Sequence, residues 1–132
     1  MANTTLQVDI VTPFVAAWSG EAAQIVLPCW NGEVGVLPEH DQLLALVRPG
    51  TATIYTATGN HIFVFNGGFA EIGPDRVTVL TEACIPIDQV DKEQARLDLE
   101  AAEPEMMNVN ANSAAARAVA QRVEFAKARL NA

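Results

Sequence analysis

Bases are scarce in this chain. Eight Lys and Arg stand against sixteen Asp and Glu over 132 residues, a formal charge of −8. An acidic body repels phosphate backbones and anionic headgroups, so neither nucleic acid nor a lipid surface is an expected direct partner. Cysteine is nearly absent. Cys29 and Cys84 lie far apart and match no metal or redox spacing, so two free thiols in a reducing compartment are expected. No apolar run approaches the roughly 18 residues that cross a bilayer. The N-terminal stretch has no basic segment leading into an apolar one, so no signal peptide is expected. Catalytic signatures are missing too: there is no Gly-x-Ser-x-Gly, no P-loop and no Gly-x-Gly-x-x-Gly. Residues 5 to 87 show no helical period, which excludes a β-α-β fold.

Short alternating segments fill that stretch. Leu6, Val8 and Ile10 point one way, and Gln7 and Asp9 the other, as in a half-buried strand. Further strands are predicted at 14–18, 22–27, 33–37, 42–47, 51–56, 61–65, 69–72, 76–80 and 83–87. Turn signals separate them at Thr12-Pro13, Ser19-Gly20, Asn31-Gly32, Pro49-Gly50, Gly59-Asn60 and Gly73-Pro74-Asp75. Gly67-Gly68 predicts a bulge or a close backbone approach by a neighbour. Eight to ten strands at roughly ten-residue spacing predict a flattened antiparallel β-sandwich or barrel over residues 1–87.

The period changes over residues 88–132. Asp88 or Asp91 is placed to cap a first helix with Ala95, Leu99 and Ala102 on one face, ending near Glu103 before Pro104. Asn112 or Ser113 caps a second helix to about Leu130, with the face Ala115, Val119, Val123, Ala126 and Leu130. Together they predict an antiparallel two-helix hairpin. Its faces are narrow and rich in alanine, so they bury little area and the hairpin is expected to detach easily. The charge is uneven as well. Residues 1–91 hold ten acids and two bases, whereas residues 106–132 carry Arg117, Arg122, Lys127 and Arg129 against Glu124 alone. A basic end suits an acidic protein surface.

The densest cluster of functional groups is the polar corner Pro38-Glu39-His40-Asp41. It reads either as a protein-contact loop or as acid–base or partial metal-binding machinery. Only His61 could add a second imidazole, and it falls in a predicted strand. A free-standing β-sandwich binding module using residues 31–41 is the alternative reading of the whole chain.

Several motifs in order resemble one family. They are Asn31-Gly32-Glu33-Val34-Gly35-Val36-Leu37-Pro38-Glu39-His40, Leu43-Leu44, Arg48-Pro49-Gly50, Asn66-Gly67-Gly68-Phe69-Ala70-Glu71-Ile72 and Val77-Thr78-Val79-Leu80. Together they resemble the epsilon subunit of the rotary F-type ATP synthase, called delta in mitochondria. The likeness is close over residues 5–90 and looser in the tail. It implies a ten-stranded sandwich followed by two antiparallel helices, and a non-catalytic rotor part at the foot of the central stalk. By that resemblance Glu33, Glu39, His40 and Asp41 face the ring of c subunits, and Gly67, Gly68 and Phe69 lie nearer the gamma subunit. In bacterial members the helical tail is either folded down or extended along gamma into the catalytic head, and the extended form blocks ATP hydrolysis. Arg117, Arg122, Lys127 and Arg129 then correspond to the bases that meet the alpha/beta catalytic head. The implied location is peripheral, on the cytoplasmic face of a bacterial inner membrane, with membrane contact only through the complex.

Three departures from the family pattern stand out. Glu39 replaces the glycine of the usual Pro-Gly-His. Leu27-Pro28 is followed by Cys29-Trp30 where the family has glycine, leaving a large Trp30 as an added contact. Some bacterial members bind ATP through Ile-Asp-x-x-Arg-Ala, which maps onto Val90 to Ala95. Asp91 and Ala95 match, but Gln94 replaces the arginine and removes a fixed charge from the phosphate site. Arg96, two positions on, is about 200° around the helix and does not substitute. No cofactor and no tight ATP binding are therefore expected.

Overall fold

The computed structural model describes residues 4–132. Eight strands come first: β1 (Leu6–Val11), β2 (Ala16–Ala22), β3 (Gln24–Cys29), β4 (Gly32–Val36), β5 (Leu43–Thr56), β6 (Gly59–Ile72), β7 (Arg76–Thr81) and β8 (Cys84–Pro86). A single 3-10 turn, Ile87–Gln89, leads to α1 (Lys92–Met106) and α2 (Ala114–Leu130). The strands form one sheet in the order β2-β1-β7-β6-β5-β3-β4, with β8 also pairing β6. The sheet folds over on itself as a sandwich, and no ladder joins β2 to β4, so it is not a closed barrel. All pairings are antiparallel except β1 with β7, which is parallel.

Alternation in β1 does what its pattern demands. Leu6, Val8 and Ile10 are fully buried, while Gln7 and Asp9 are half-buried. With Ile25, Leu27, Val36, Ile54, Phe65, Val77 and Val79 they make the core, and Phe65 is its largest fully buried side chain. Burying side chains of this size stabilises by about 1.5–3 kcal/mol each.

The expected ten strands are eight because the predicted turn at Pro49-Gly50 and the expected interruption at Gly67-Gly68 are bends within long strands. β5 runs through Pro49-Gly50 and β6 through Gly67-Gly68, and their register is unbroken from Leu43↔Ile72 to Thr56↔Gly59. Fourteen residues are too many for one layer of a small sandwich, and bends let a strand serve both layers. Each bend has a steric cause. A Cβ on Gly50 would lie 2.8 Å from the Pro28 Cβ. A Cβ on Gly68 would lie 1.9 Å from the Leu80 carbonyl oxygen of β7, and Gly68 also takes φ +130°. The glycine pair therefore marks a close backbone approach, with no register shift in the β5–β6 ladder. Ser19-Gly20, an expected turn, likewise lies inside β2, and β3 runs one residue past Pro28 to Cys29 where the strand was expected to end at Leu27.

In the tail, the Asp91 carboxylate accepts from Gln94 N at 3.0 Å and caps α1, and Ser113 Oγ accepts from Ala116 N at 3.1 Å and caps α2. Pro104 does not stop α1 at Glu103. It sits in the last turn and the helix runs to Met106, because a proline there forfeits one hydrogen bond in a helix that is already ending. The buried stripe of α2 is Ala116, Val119, Val123, Ala126 and Arg129, one residue away from the expected Ala115 and Leu130 at its two ends.

Candidate functional site

Three surfaces carry the residues singled out above. The first is the polar corner. Glu33 is exposed on β4, opposite Pro28 of β3, and β4 is an edge of the sheet. Glu39 holds φ +69°, the left-handed backbone that glycine adopts freely, and its N–H donates to the Pro74 carbonyl at 2.6 Å. The corner thus keeps a turn suited to glycine while carrying a carboxylate. His40 donates from Nδ1 to the backbone carbonyl of Asp41 at 2.6 Å. Its ring is bonded to a main-chain oxygen and to neither neighbouring carboxylate, so the trio lacks the hydrogen-bonded base–acid couple that proton transfer needs. Leu37, beside it, is 57% exposed.

The second surface is apolar. Leu46, Phe69 and Leu80 lie side by side on β5, β6 and β7, in the registers Leu46↔Phe69 and Phe69↔Leu80. All three face solvent, while Val47, Ala70 and Val79 on the opposite face are buried. Leu44, two residues from Leu46 on the same face, is 66% exposed. Trp30 is 61% exposed, and its N–H donates to the Leu46 carbonyl at 3.2 Å. A strand that faces water should alternate, yet Leu43-Leu44-Ala45-Leu46-Val47 is apolar throughout. That unbroken run is the signal by which the row could have been found, since a strand apolar on both faces is built to be covered on both. Of the glycine-containing trio, only Phe69 is exposed. Gly67 is buried beneath α2 and Gly68 is pressed against β7.

The third surface is the helical tail. α2 rests on the bends of β5 and β6, where a Cβ on Gly67 would lie 3.3 Å from Gln121 Nε2. That amide donates to the Asn66 carbonyl at 2.9 Å and to Asn66 Oδ1 at 3.3 Å. The four bases differ in their engagement. Arg117 is exposed and lines a cleft of about 360 Å3 with Trp30, Pro49 and Glu82. Lys127 stands 4.0 Å from Glu124 and lines a smaller cleft that also includes Glu33. Arg122 pairs with Glu105. Arg129 is only 9% exposed, pairs with Asp98 at 2.9 Å and stacks 4.3 Å over the Phe125 ring. The Asp98 carboxyl is held below the ordinary carboxylate range, first by the Gln94 amide that donates to it at 2.8 Å and then by Arg129. Of the residues mapped onto the nucleotide motif, Asp91 is occupied as a helix cap and Ala95 is fully buried.

No helix among the described residues is long and apolar enough to cross a membrane. The family model described as "ATP synthase, Delta/Epsilon chain, beta-sandwich domain" matches residues 5–87. The ATP synthase epsilon chain of Bordetella petrii is 40% identical over 105 residues, covering 79% of this chain and 74% of the relative. That of Thioalkalivibrio sulfidiphilus is 34% identical over 124 residues, covering 92% and 88%. Among solved structures, a chain of the Euglena gracilis mitochondrial ATP synthase OSCP/F1/c-ring assembly superposes with a TM-score of 0.80 at 20% identity, covering 96% of this chain and 80% of that one. A chain of the Tetrahymena thermophila central stalk/c-ring assembly does so at 0.62 and 15%, covering 99% and 98%. At those identities the superpositions speak for the fold, which extends through the helical tail. Family match and relatives together establish that the chain belongs to the delta/epsilon chain family of the ATP synthase, as a non-catalytic accessory subunit of the epsilon type.

Proposed function

We propose that the chain is a rotor element of the central stalk that couples the gamma subunit and the c-subunit ring to the alpha/beta catalytic head. The observation that carries this reading is the exposed apolar row Leu46-Phe69-Leu80, flanked by Leu44 and Trp30. Contiguous apolar surface on a soluble fold marks a protein interface, and torque transmission needs a broad, well-packed one. The row is assigned to gamma, with Phe69 as its central contact and Gly67 and Gly68 shaping the strand beneath. The corner with Glu33, Glu39, His40 and Asp41 is assigned to the ring, where three carboxylates suit a basic loop. Arg117, Arg122, Lys127 and Arg129 are assigned to the catalytic head, which they reach when the tail leaves the sandwich. The complex then holds the chain peripherally at the cytoplasmic face of a bacterial inner membrane.

ATP is not a tight ligand in this reading. Gln94 supplies no charge and its amide is engaged by Asp98, while Asp91 caps the helix.

The test is ATP hydrolysis by a cognate catalytic core depleted of this chain, with add-back of the full chain or a version ending at Val90. Binding by both and suppression by the full chain alone is the expected result. Suppression by neither would make the tail a packing accessory. Failure of both to bind would remove the rotor reading.

A further inference from the structure

Two acids on α1 and two bases on α2 share one spacing. Asp98 and Glu105 are seven residues apart, as are Arg122 and Arg129. Seven residues is close to two helical turns, so each pair lies along one face about 10.5 Å apart. The helices run antiparallel, and the pairings follow a single register: Asp98 with Arg129, and Glu105 with Arg122. Between these two ties the seam is made of small residues. Ala102 and Ala126 are fully buried there, and Val123 is nearly so; Ala95, just beyond the Asp98 end, is fully buried as well. Alanine contacts contribute little area, so the two ion pairs make up an unusual share of what holds α1 to α2. Arg129 is also desolvated, with Asp98, the Phe125 ring and the Phe125 carbonyl as its surroundings.

We propose that Asp98 and Glu105 are internal competitors for the arginines of α2, so that the hairpin must unzip along this seam before Arg122 and Arg129 can meet an acidic partner. The partner half of this statement rests on the assignment of α2 to the catalytic head; the seam itself does not. A partner carboxylate has to displace one already in place. The seam therefore sets a threshold for leaving the closed state, and it makes Arg117, exposed and free of α1, the base available for first contact. The threshold is tunable by charge. The Glu105–Arg122 pair is half-exposed and open to screening by salt, whereas the Arg129 end is protected from it.

Amide hydrogen exchange on the full chain tests the seam. Asp98→Asn leaves the buried Arg129 guanidinium without its counter-charge, and exchange across 92–106 and 114–130 should rise roughly tenfold. Glu105→Gln should raise it roughly two- to fivefold, as befits a half-exposed pair. Exchange across residues 6–81 should not change in either. The swap Glu105→Arg with Arg122→Glu should return the helices to wild-type rates, an outcome that generic loss of helix stability would not produce. Unchanged helix exchange in both single variants, or no recovery in the swap, overturns the proposal. The two single variants, Asp98→Asn and Glu105→Gln, added to the depleted catalytic core separate it from the reading it rests on. Faster exchange with stronger suppression of hydrolysis supports both. Faster exchange with hydrolysis unaltered supports the seam and rejects the contact with the head.

Discussion

Glu39 shows how a single residue can depart from a turn's preference and still occupy it. Its φ of +69° is tolerated by an L side chain at a cost of about 1–2 kcal/mol. The hydrogen bond from its N–H to Pro74 helps hold it there. Glu39→Gly removes the strain, and part of the gain is returned through the larger unfolded-state freedom of glycine. A net stabilisation of about 1 kcal/mol is expected, read as a higher urea midpoint with an unchanged slope. The sequence showed that glycine was missing from this turn. It could not show whether the backbone would move or the side chain would accept the strain, because that depends on a bond to Pro74, 35 positions away. Arg129 was opaque for a similar reason. In sequence it is one more base in the last turn of a helix; in the fold, Asp98 and Phe125 draw it out of water.

At the scale of elements, alternation was legible wherever one face is buried and the other wet. β1 and β7 begin where the pattern places them, and the caps Asp91 and Ser113 were among the candidates read from it. The pattern misled where glycine and proline serve packing. Pro49-Gly50 is a turn signal locally, but a strand can bend there, as it does at the close approach of Gly67-Gly68, when a neighbour needs the missing Cβ space, and that neighbour is distant in sequence. The same bends form the seat of α2. Gln121 ties the helix to Asn66 there, where Gly67 leaves room for the amide. Gln121→Ala should remove about 1 kcal/mol of docking, as one partly buried amide–carbonyl bond is worth. Because short helices are marginal alone in water, exchange across 114–130 should quicken roughly fivefold while the sandwich keeps its rates. Equal quickening in strands and helix would mean that Gln121 supports the global fold and has no special part in docking.

For the whole molecule, the question is why a folded protein keeps leucine and phenylalanine in water. The row Leu46-Phe69-Leu80 sits on strands whose other face already supplies the core through Val47, Ala70 and Val79. Its side chains are therefore surplus to the stability of the isolated chain and are explained by a partner. Surplus and interface can be separated by experiment. Leu46→Gln together with Phe69→Gln should leave the unfolding free energy from urea titration within about 0.5 kcal/mol of wild type, with the midpoint nearly unmoved, since exposed positions away from special backbone change stability little. The same variant should lose most of its capture by an immobilised complex of gamma with the catalytic head, because truncating central apolar anchors costs about 2 kcal/mol or more each. A control with Leu97→Gln, an exposed leucine on α1 outside the row, should bind normally. Wild-type capture by the row variant would move the gamma contact elsewhere and leave the apolar surface without its explanation. Lost capture accompanied by a lower midpoint would assign the row to folding, because Leu46 and Phe69 would then be stabilising the sheet from its outer side.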